Sequence, residues 1–424
     1  MVIFVLGDIL NKAIPFLLLP FLTRYLTPDE YGKVSMFMVL VTIFSIFAGL
    51  SIHGAVNVQF FKKSREELGR YIANVLLILS VSTLFLVLIS LIAYRFLGDE
   101  ISRLVDLPWI WIFMALFVAS AQFVSMINHT LWIAEKKAVP YIVYQLSQSL
   151  STAILIIGFV AGLSMGWRGQ VGALFIVSLL SSIVSLYLLY KRRYIHFGID
   201  SEYIVDALKF GLPLIPHSLA GWIRTGMDKM VISIFFGTTV LGFYSVGFQL
   251  GIIMGVITTA FHKVWSPFLM ERLSRKLDRE QRLRIVKLTY LYFVSLLSFS
   301  FLLYIALRAI VPVILDEKYI NALEFLPYIL LSYTFNGMYF MVVDYIFYVQ
   351  KTTILASVTF VTSLLYLSIL YPMQLLYGPV GVAISVTITS FIVFLATWWY
   401  ANRVYPMPWL IFSKREESGE KHDF

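Results

Sequence analysis

Asp8 and Lys12, with Asn11 beside them, lie inside the apolar run that opens the chain, and His217, Arg224, Asp228 and Lys229 lie inside another near its middle. Ionisable groups at the centre of a membrane helix cost roughly 2.5–3.5 kcal/mol each, so they persist only where they face a cavity or a partner. Two chemistries are open to them. Asp8 with Lys12, and Arg224 with Asp228, have i,i+4 spacing and can neutralise one another so that each helix inserts. Alternatively, Lys12, Arg224 and Lys229 outnumber Asp8 and Asp228 and leave a cavity suited to an anion, because charge-assisted bonds to phosphate strengthen where the dielectric is low. His217, Arg224 and Asp228, at i, i+7 and i+11, share one helical face. His53 and Lys263 coincide at an offset of 210 residues, with His262 adjacent. They either line the mouth of such a cavity or lie in the membrane interface, where Lys263 can snorkel.

The elements that must carry these residues are not plain anchors. The stretch from Gly7 to Gly32, GDILNKAIPFLLLPFLTRYLTPDEYG, contains Pro15 and Pro20, and the stretch 210–237 contains Pro213 and Pro216 near its start. A proline inside a span frees a backbone carbonyl that a neighbour must satisfy. Proline-interrupted segments in corresponding positions of two halves point to a transporter's central site. The turn that follows each also matches: TPDEYGKVS lies against TTVLGFYSV at the same offset of 210, pairing Gly32 with Gly242 and Ser35 with Ser245. With six spans between them, the halves would be parallel repeats related by an axis along the membrane normal.

Composition sets the class. The 424 residues are 59% hydrophobic and 13% charged, with a mean hydropathy of +0.84, against about 25% charged in soluble domains. Spans of roughly 20 apolar residues recur about twelve times, near 2–26, 32–58, 71–97, 108–134, 140–165, 170–190, 209–236, 241–266, 287–310, 325–349, 353–377 and 379–402. The first lacks a basic lead and a cleavage site and reads as a retained helix. The expected fold is an all-α membrane protein of two six-helix bundles, 1–190 and 209–402, joined by a linker at 191–208 and followed by a tail at 403–424. Every second loop is basic, which by the positive-inside rule makes those loops and both termini cytoplasmic in a multi-pass protein of the cell membrane. The net charge of +9 is therefore topological and implies no nucleic acid. Glu271–Lys287 alternates in sign at helical spacing and is expected as a surface helix.

There is no cysteine, and no P-loop, metal-spaced histidine pair or dinucleotide fingerprint appears. No catalytic residue, metal site or cofactor is expected. Tyr141, Tyr144, Gln145 and Gln148 share a face of one span, and Asn128, His129 and Asn336 lie in others; such side chains either hydrogen-bond sugars or join helices. Gly247, Gly251 and Gly255, like Gly158, Gly162 and Gly166, have the spacing of close helix packing.

The run IPFLLLPFLTRYLTPDEYGKVS resembles the first-helix signature of the Wzx-type polysaccharide-biosynthesis flippases, a branch of the MOP (multidrug/oligosaccharidyl-lipid/polysaccharide) exporter superfamily. The block FGLPLIPHSLAGWI, with DKMVISIFFGTTVLGFYSVGFQL after it, resembles the family's seventh-to-eighth helix region, Asp228 holding the family's acidic position. The resemblance implies two MATE-like bundles that alternate between inward-open and outward-open. It implies movement of a polyprenyl-(pyro)phosphate-linked oligosaccharide to the outer leaflet, for O-antigen or similar surface polysaccharide, driven by Na+ or H+ or the membrane potential and not by ATP. Lys12, Arg224 and Lys229 would neutralise the pyrophosphate, Asn11, His53, His217, His262 and Lys263 would assist, and Asp8 and Asp228 would couple state to ion. Polymerase or ligase machinery would be a partner. Relatives usually carry several more residues ahead of the first helix. Two rivals remain: a multidrug exporter of the same superfamily, which favours acidic cavities, and a membrane-embedded glycosyltransferase or polymerase, whose carboxylates would have to come from Asp99, Glu100, Asp106, Asp316 or Glu317 on short loops.

Overall fold

Thirteen α-helices make up the chain in the computed structural model, which describes residues 2–275 and 277–409; the side chains of residues 2–6, 8, 352, 354 and 356 fall outside the description. In order they are α1 (Val2–Tyr25), α2 (Pro28–Gly49), α3 (His53–Phe60), α4 (Arg65–Val105), α5 (Trp109–Ala134), α6 (Ala138–Ile157), α7 (Gly166–Lys191), α8 (Ser201–Gly211), α9 (Ile215–Thr225), α10 (Met227–Leu273), α11 (Arg279–Ile314), α12 (Leu326–Tyr348) and α13 (Thr352–Val404). Their starts are written locally. Thr27 with Glu30, Ser64 with Glu67 and Asp278 with Gln281 form reciprocal caps on α2, α4 and α11, each satisfying two backbone N–H groups that a helix start leaves open.

Among the described residues, nine helical segments are long and apolar enough to cross a membrane. Two of them hold an internal break. Gly237 at φ 87° interrupts α10 and Gly378 at φ 59° interrupts α13, in the left-handed region glycine enters without steric cost. Both breaks fall where the sequence separates spans.

Other boundaries shift. The second expected span ends at Gly49 and gives way to the separate α3, while α4 runs for 41 residues, about 60 Å at helical rise, absorbing what reads as a loop near 97–108. The expected surface helix at Glu271–Lys287 is instead the end of α10 and the start of α11; the Asp278 cap sets the new start. Gly247, Gly251 and Gly255 do serve packing, with Ile329 or Tyr333 against each, whereas nothing lies within 4 Å of the positions a Cβ would take at Gly158 and Gly162. Those two glycines bound a π-helical turn.

The loops sort into two ends. At the basic end, Arg192 binds Glu135 and Asn128 at 2.6 and 2.9 Å, Arg65 donates to the Arg192 carbonyl, and Tyr194 donates to Glu135 at 2.6 Å. At the opposite end, Thr238 donates to Asp29 and, at 2.8 Å, to Asp106; Lys33 reaches the same two carboxylates at 2.8 and 3.5 Å.

The two bundles meet along α2 and α10, and the meeting is reciprocal. A Cβ on Gly32 would lie 1.8 Å from the Thr238 carbonyl oxygen, and one on Gly242 would lie 1.9 Å from the Pro28 carbonyl oxygen. Residues 28 and 238, like 32 and 242, differ by 210, so each contact is the image of the other. One turn further in, Ser245 donates to Ser35 at 2.7 Å.

Candidate functional site

Two cavities lie inside this frame. The larger, about 660 Å³, is walled by α1, α2, α5, α6, α7 and α10. The smaller, about 240 Å³, lies among α9, α10, α12 and α13. Phe248 lines both and is the partition between them.

The Gly226 break decides how the charged residues are shared. Here α9 ends, and α10 starts in a new direction after a residue at φ −131°, ψ −28°. Arg224 and Asp228 therefore lie on different helices, and the i,i+4 register that would pair them is lost; among the described residues no ion pair joins them. Both line the smaller cavity with Tyr244, Tyr333, Asn336, Tyr339 and Tyr366. Asp228 is 1% exposed and accepts a short hydrogen bond from the Tyr244 hydroxyl. Its second oxygen, Arg224 Nε, the Tyr366 hydroxyl and the Thr389 hydroxyl have no hydrogen-bond partner among the described residues. Buried polar atoms of this kind are normally satisfied, and a water or an ion in this cavity would complete them.

Lys229 is the next residue after Asp228, and roughly 100° of helical rotation sends it to the other side of the partition. It lines the larger cavity, its ammonium 4.4 Å from the centre of the Phe248 ring. Among the described lining residues it is the one lysine or arginine, and no aspartate or glutamate joins it. The rest of the wall is amide, hydroxyl and apolar apart from the His129 imidazole, and includes Ile14, Pro15, Leu18 and Leu22 of the proline-bearing α1.

The remaining expected site residues lie elsewhere. Asn11 accepts a hydrogen bond from Ser149 and braces a helix that lines the larger cavity. Lys12 is exposed and lines neither cavity, and the Asp8 side chain lies outside the described residues. His217 is exposed two turns from Arg224 on the same face, displaced towards the basic end. His53 packs edge-on against Phe123 at the start of α3, and Lys263 is half-buried on α10. His262 stacks on Phe340 and reaches the Asp344 carboxylate at 3.3 Å. Tyr141 and Tyr144 pack around His129 and Trp132, and Tyr144 donates to the Ser181 carbonyl at 2.7 Å, which is helix joining.

Sequence reasoning passed over two features. Asp344, 1% exposed on α12, was findable as a carboxylate inside an apolar span. Gln122, Gln170 and Gln249 line the larger cavity beside Gln148, and each stands alone in its span, so no local motif announced them.

Comparison with known proteins agrees with this architecture. The Lsg locus putative protein 1 of Haemophilus influenzae is 26% identical over 414 residues, covering 93% of this chain and 97% of that protein. The lipid II flippase MurJ in an inward closed conformation superposes with a TM-score of 0.73 at 17% identity, over 94% of this chain and 87% of that one. An inward-facing MATE family multidrug resistance transporter of the MOP superfamily gives 0.67 at 14% identity, over 93% and 94%. The family profile described as polysaccharide biosynthesis protein matches residues 1–273; the chain belongs to that family, as a multi-pass membrane protein with the MATE- and MurJ-type fold.

Proposed function

We propose that the protein is a flippase that carries a polyprenyl-(pyro)phosphate-linked oligosaccharide from the cytoplasmic to the outer leaflet for surface polysaccharide synthesis. The carrying observation is the larger cavity: about 660 Å³, within the range of ligand sites, with one ammonium, one imidazole, amides and hydroxyls, and no carboxylate among its described lining residues. A cationic drug would enter it with no counter-charge, and desolvating an unpaired cation is costly. An anionic head group would meet Lys229. The basic end is taken as cytoplasmic, by the excess of lysine and arginine in its loops, and the bundles as 1–190 and 209–402.

The smaller cavity has a different part in this reading. Asp228, with its free oxygen beside the Tyr366 and Thr389 hydroxyls, would take up the coupling Na+ or H+. Arg224 across the same cavity makes occupancy of Asp228 a matter of charge balance. Because Asp228 and Lys229 are adjacent on α10, filling one cavity bears directly on the wall of the other. Polymerase or ligase machinery would consume the delivered oligosaccharide.

The test is head-group translocation in proteoliposomes loaded in one leaflet with a polyprenyl-pyrophosphate oligosaccharide. Lys229→Ala is expected to slow movement about 10- to 100-fold, the loss of a charged hydrogen bond of roughly 1.5–3 kcal/mol, and Arg224→Ala to uncouple movement from the ion gradient. Full activity in both variants at normal membrane levels overturns the assignment of these residues; export of a cationic dye with no lipid movement overturns the flippase.

A further inference from the structure

We infer that the larger cavity contains a subsite for uncharged sugar rings, built by Gln122 of α5, Gln148 of α6, Gln170 of α7 and Gln249 of α10; this deepens and rests on the flippase reading. Four helices each place one primary amide on the lining of this one cavity. An amide offers donors and an acceptor together, and so does each sugar hydroxyl, so the two match in either orientation. Serine and threonine hydroxyls fill the gaps at helical spacing, Ser125 one turn from Gln122 and Thr152 one turn from Gln148.

Two of these amides have bonding capacity left. Gln170 is 9% exposed, and its Oε1 has no hydrogen-bond partner among the described residues. Gln148 Nε2 reaches Ser125 Oγ at 3.4 Å, at the long limit of a hydrogen bond and readily exchanged for a ligand. A buried acceptor left open in a polar cavity is the arrangement that binding a hydroxyl completes.

Charge then narrows the sugar. Lys229 is committed to the phosphate, and its ammonium lies against Phe248. The α5–α7 wall holds no aspartate, glutamate, lysine or arginine among its described lining residues, and its one imidazole, His129, has its ring packed among Trp132, Tyr141 and Tyr144. A uronic acid carboxylate or an amino-sugar ammonium seated there would be desolvated with no opposite charge in contact. Neutral hexoses and N-acetylated sugars meet no such penalty.

The chain has no cysteine, so Gln148→Cys and Gln170→Cys each introduce a unique thiol, with Ser178→Cys as a third reporter on the same wall should either misfold. Maleimide labelling is followed with three probes sharing one polyprenyl pyrophosphate: the bare lipid, the lipid carrying a neutral hexose trisaccharide, and the lipid carrying that trisaccharide with one hexose replaced by its uronic acid. Wild-type translocation of the same three is measured in parallel. The neutral trisaccharide is expected to slow labelling about tenfold or more, as a hydrogen-bonding site discriminates, with the bare and acidic lipids leaving the rate near that of the apo protein. Equal protection by the bare lipid overturns the subsite, and equal protection or transport of the acidic lipid overturns its neutrality; in either case the flippase reading stands if wild type moves lipid. If wild type moves none of the three and no thiol is protected, the flippase reading itself fails.

Discussion

Gly32→Ala tests whether the reciprocal contact between α2 and α10 is a gate. The added methyl would lie 1.8 Å from the Thr238 carbonyl oxygen, and the partner change Gly242→Ala places one 1.9 Å from the Pro28 oxygen; real Cβ contacts stay beyond 3.0 Å, so the helices must part by roughly 1.2 and 1.1 Å. Both obstacles are backbone, and no side-chain rotation relieves them. Overpacking of this kind costs about 1–3 kcal/mol, partly offset by the helix preference for alanine over glycine of up to about 1 kcal/mol. The separation also strains the hydrogen bonds from Thr238 to Asp29 and Asp106 that close this end. If the contact exists only in the closed state, the helix preference acts in both states and cancels, so the overpacking cost of about 1–3 kcal/mol shifts the balance towards opening by about 5- to 150-fold. The reporter is Ser245→Cys, one turn beyond the glycine contact and on the wall of the larger cavity. In right-side-out vesicles a membrane-impermeant maleimide should label it faster in the Gly32→Ala background by a factor in that range. The double glycine variant should gain less than the product of the singles, because both relieve one contact. A lower melting temperature with unchanged labelling would refute the gate and leave a static packing site.

Two further outcomes follow from buried charge. At Glu135, burial pushes the carboxyl up, but the Tyr194 hydrogen bond, Arg192 and Lys137 outweigh it and hold it below its ordinary 4.5. Its stabilising contribution is present above about pH 4.5 and is lost as the pH falls through the lower folded value. Glu135→Gln should therefore lower the melting temperature at pH 7 and flatten its fall below pH 4.5; acid melting curves parallel to wild type would contradict this. At the other pair, His262 is the partner of the buried Asp344 carboxylate. His262→Ala should cost about 1–3 kcal/mol by leaving the buried Asp344 carboxyl group without its hydrogen-bond partner, and adding Asp344→Leu should recover most of it. Additive losses in the double variant would show that the two do not interact.

What the sequence disclosed and what it withheld divide along a physical line. The all-helical membrane class was legible because the bilayer demands about 20 apolar residues per span, and the paired turns were legible because carbonyl oxygens can approach that closely only where there is no side chain, at Gly32 and Gly242. These constraints act on residue types one position at a time. The direction of the charged residues depended on phase: carried unbroken through Gly226, a helix places Arg224 and Asp228 one turn apart in one row, whereas the break puts them on separate helices that line one cavity. The glutamines were hidden for a related reason. Gln122, Gln170 and Gln249 are each the one glutamine of their span, and only the packing of α5, α7 and α10 brings them to the cavity that Gln148 of α6 also lines. If the ligand is a lipid-linked oligosaccharide, neutral over most of its surface, recognition need not be carried by the charged residues that stand out in an apolar sequence. Those residues mark where phosphate and ion would act, and the sugar would be read by side chains that become a group only after folding.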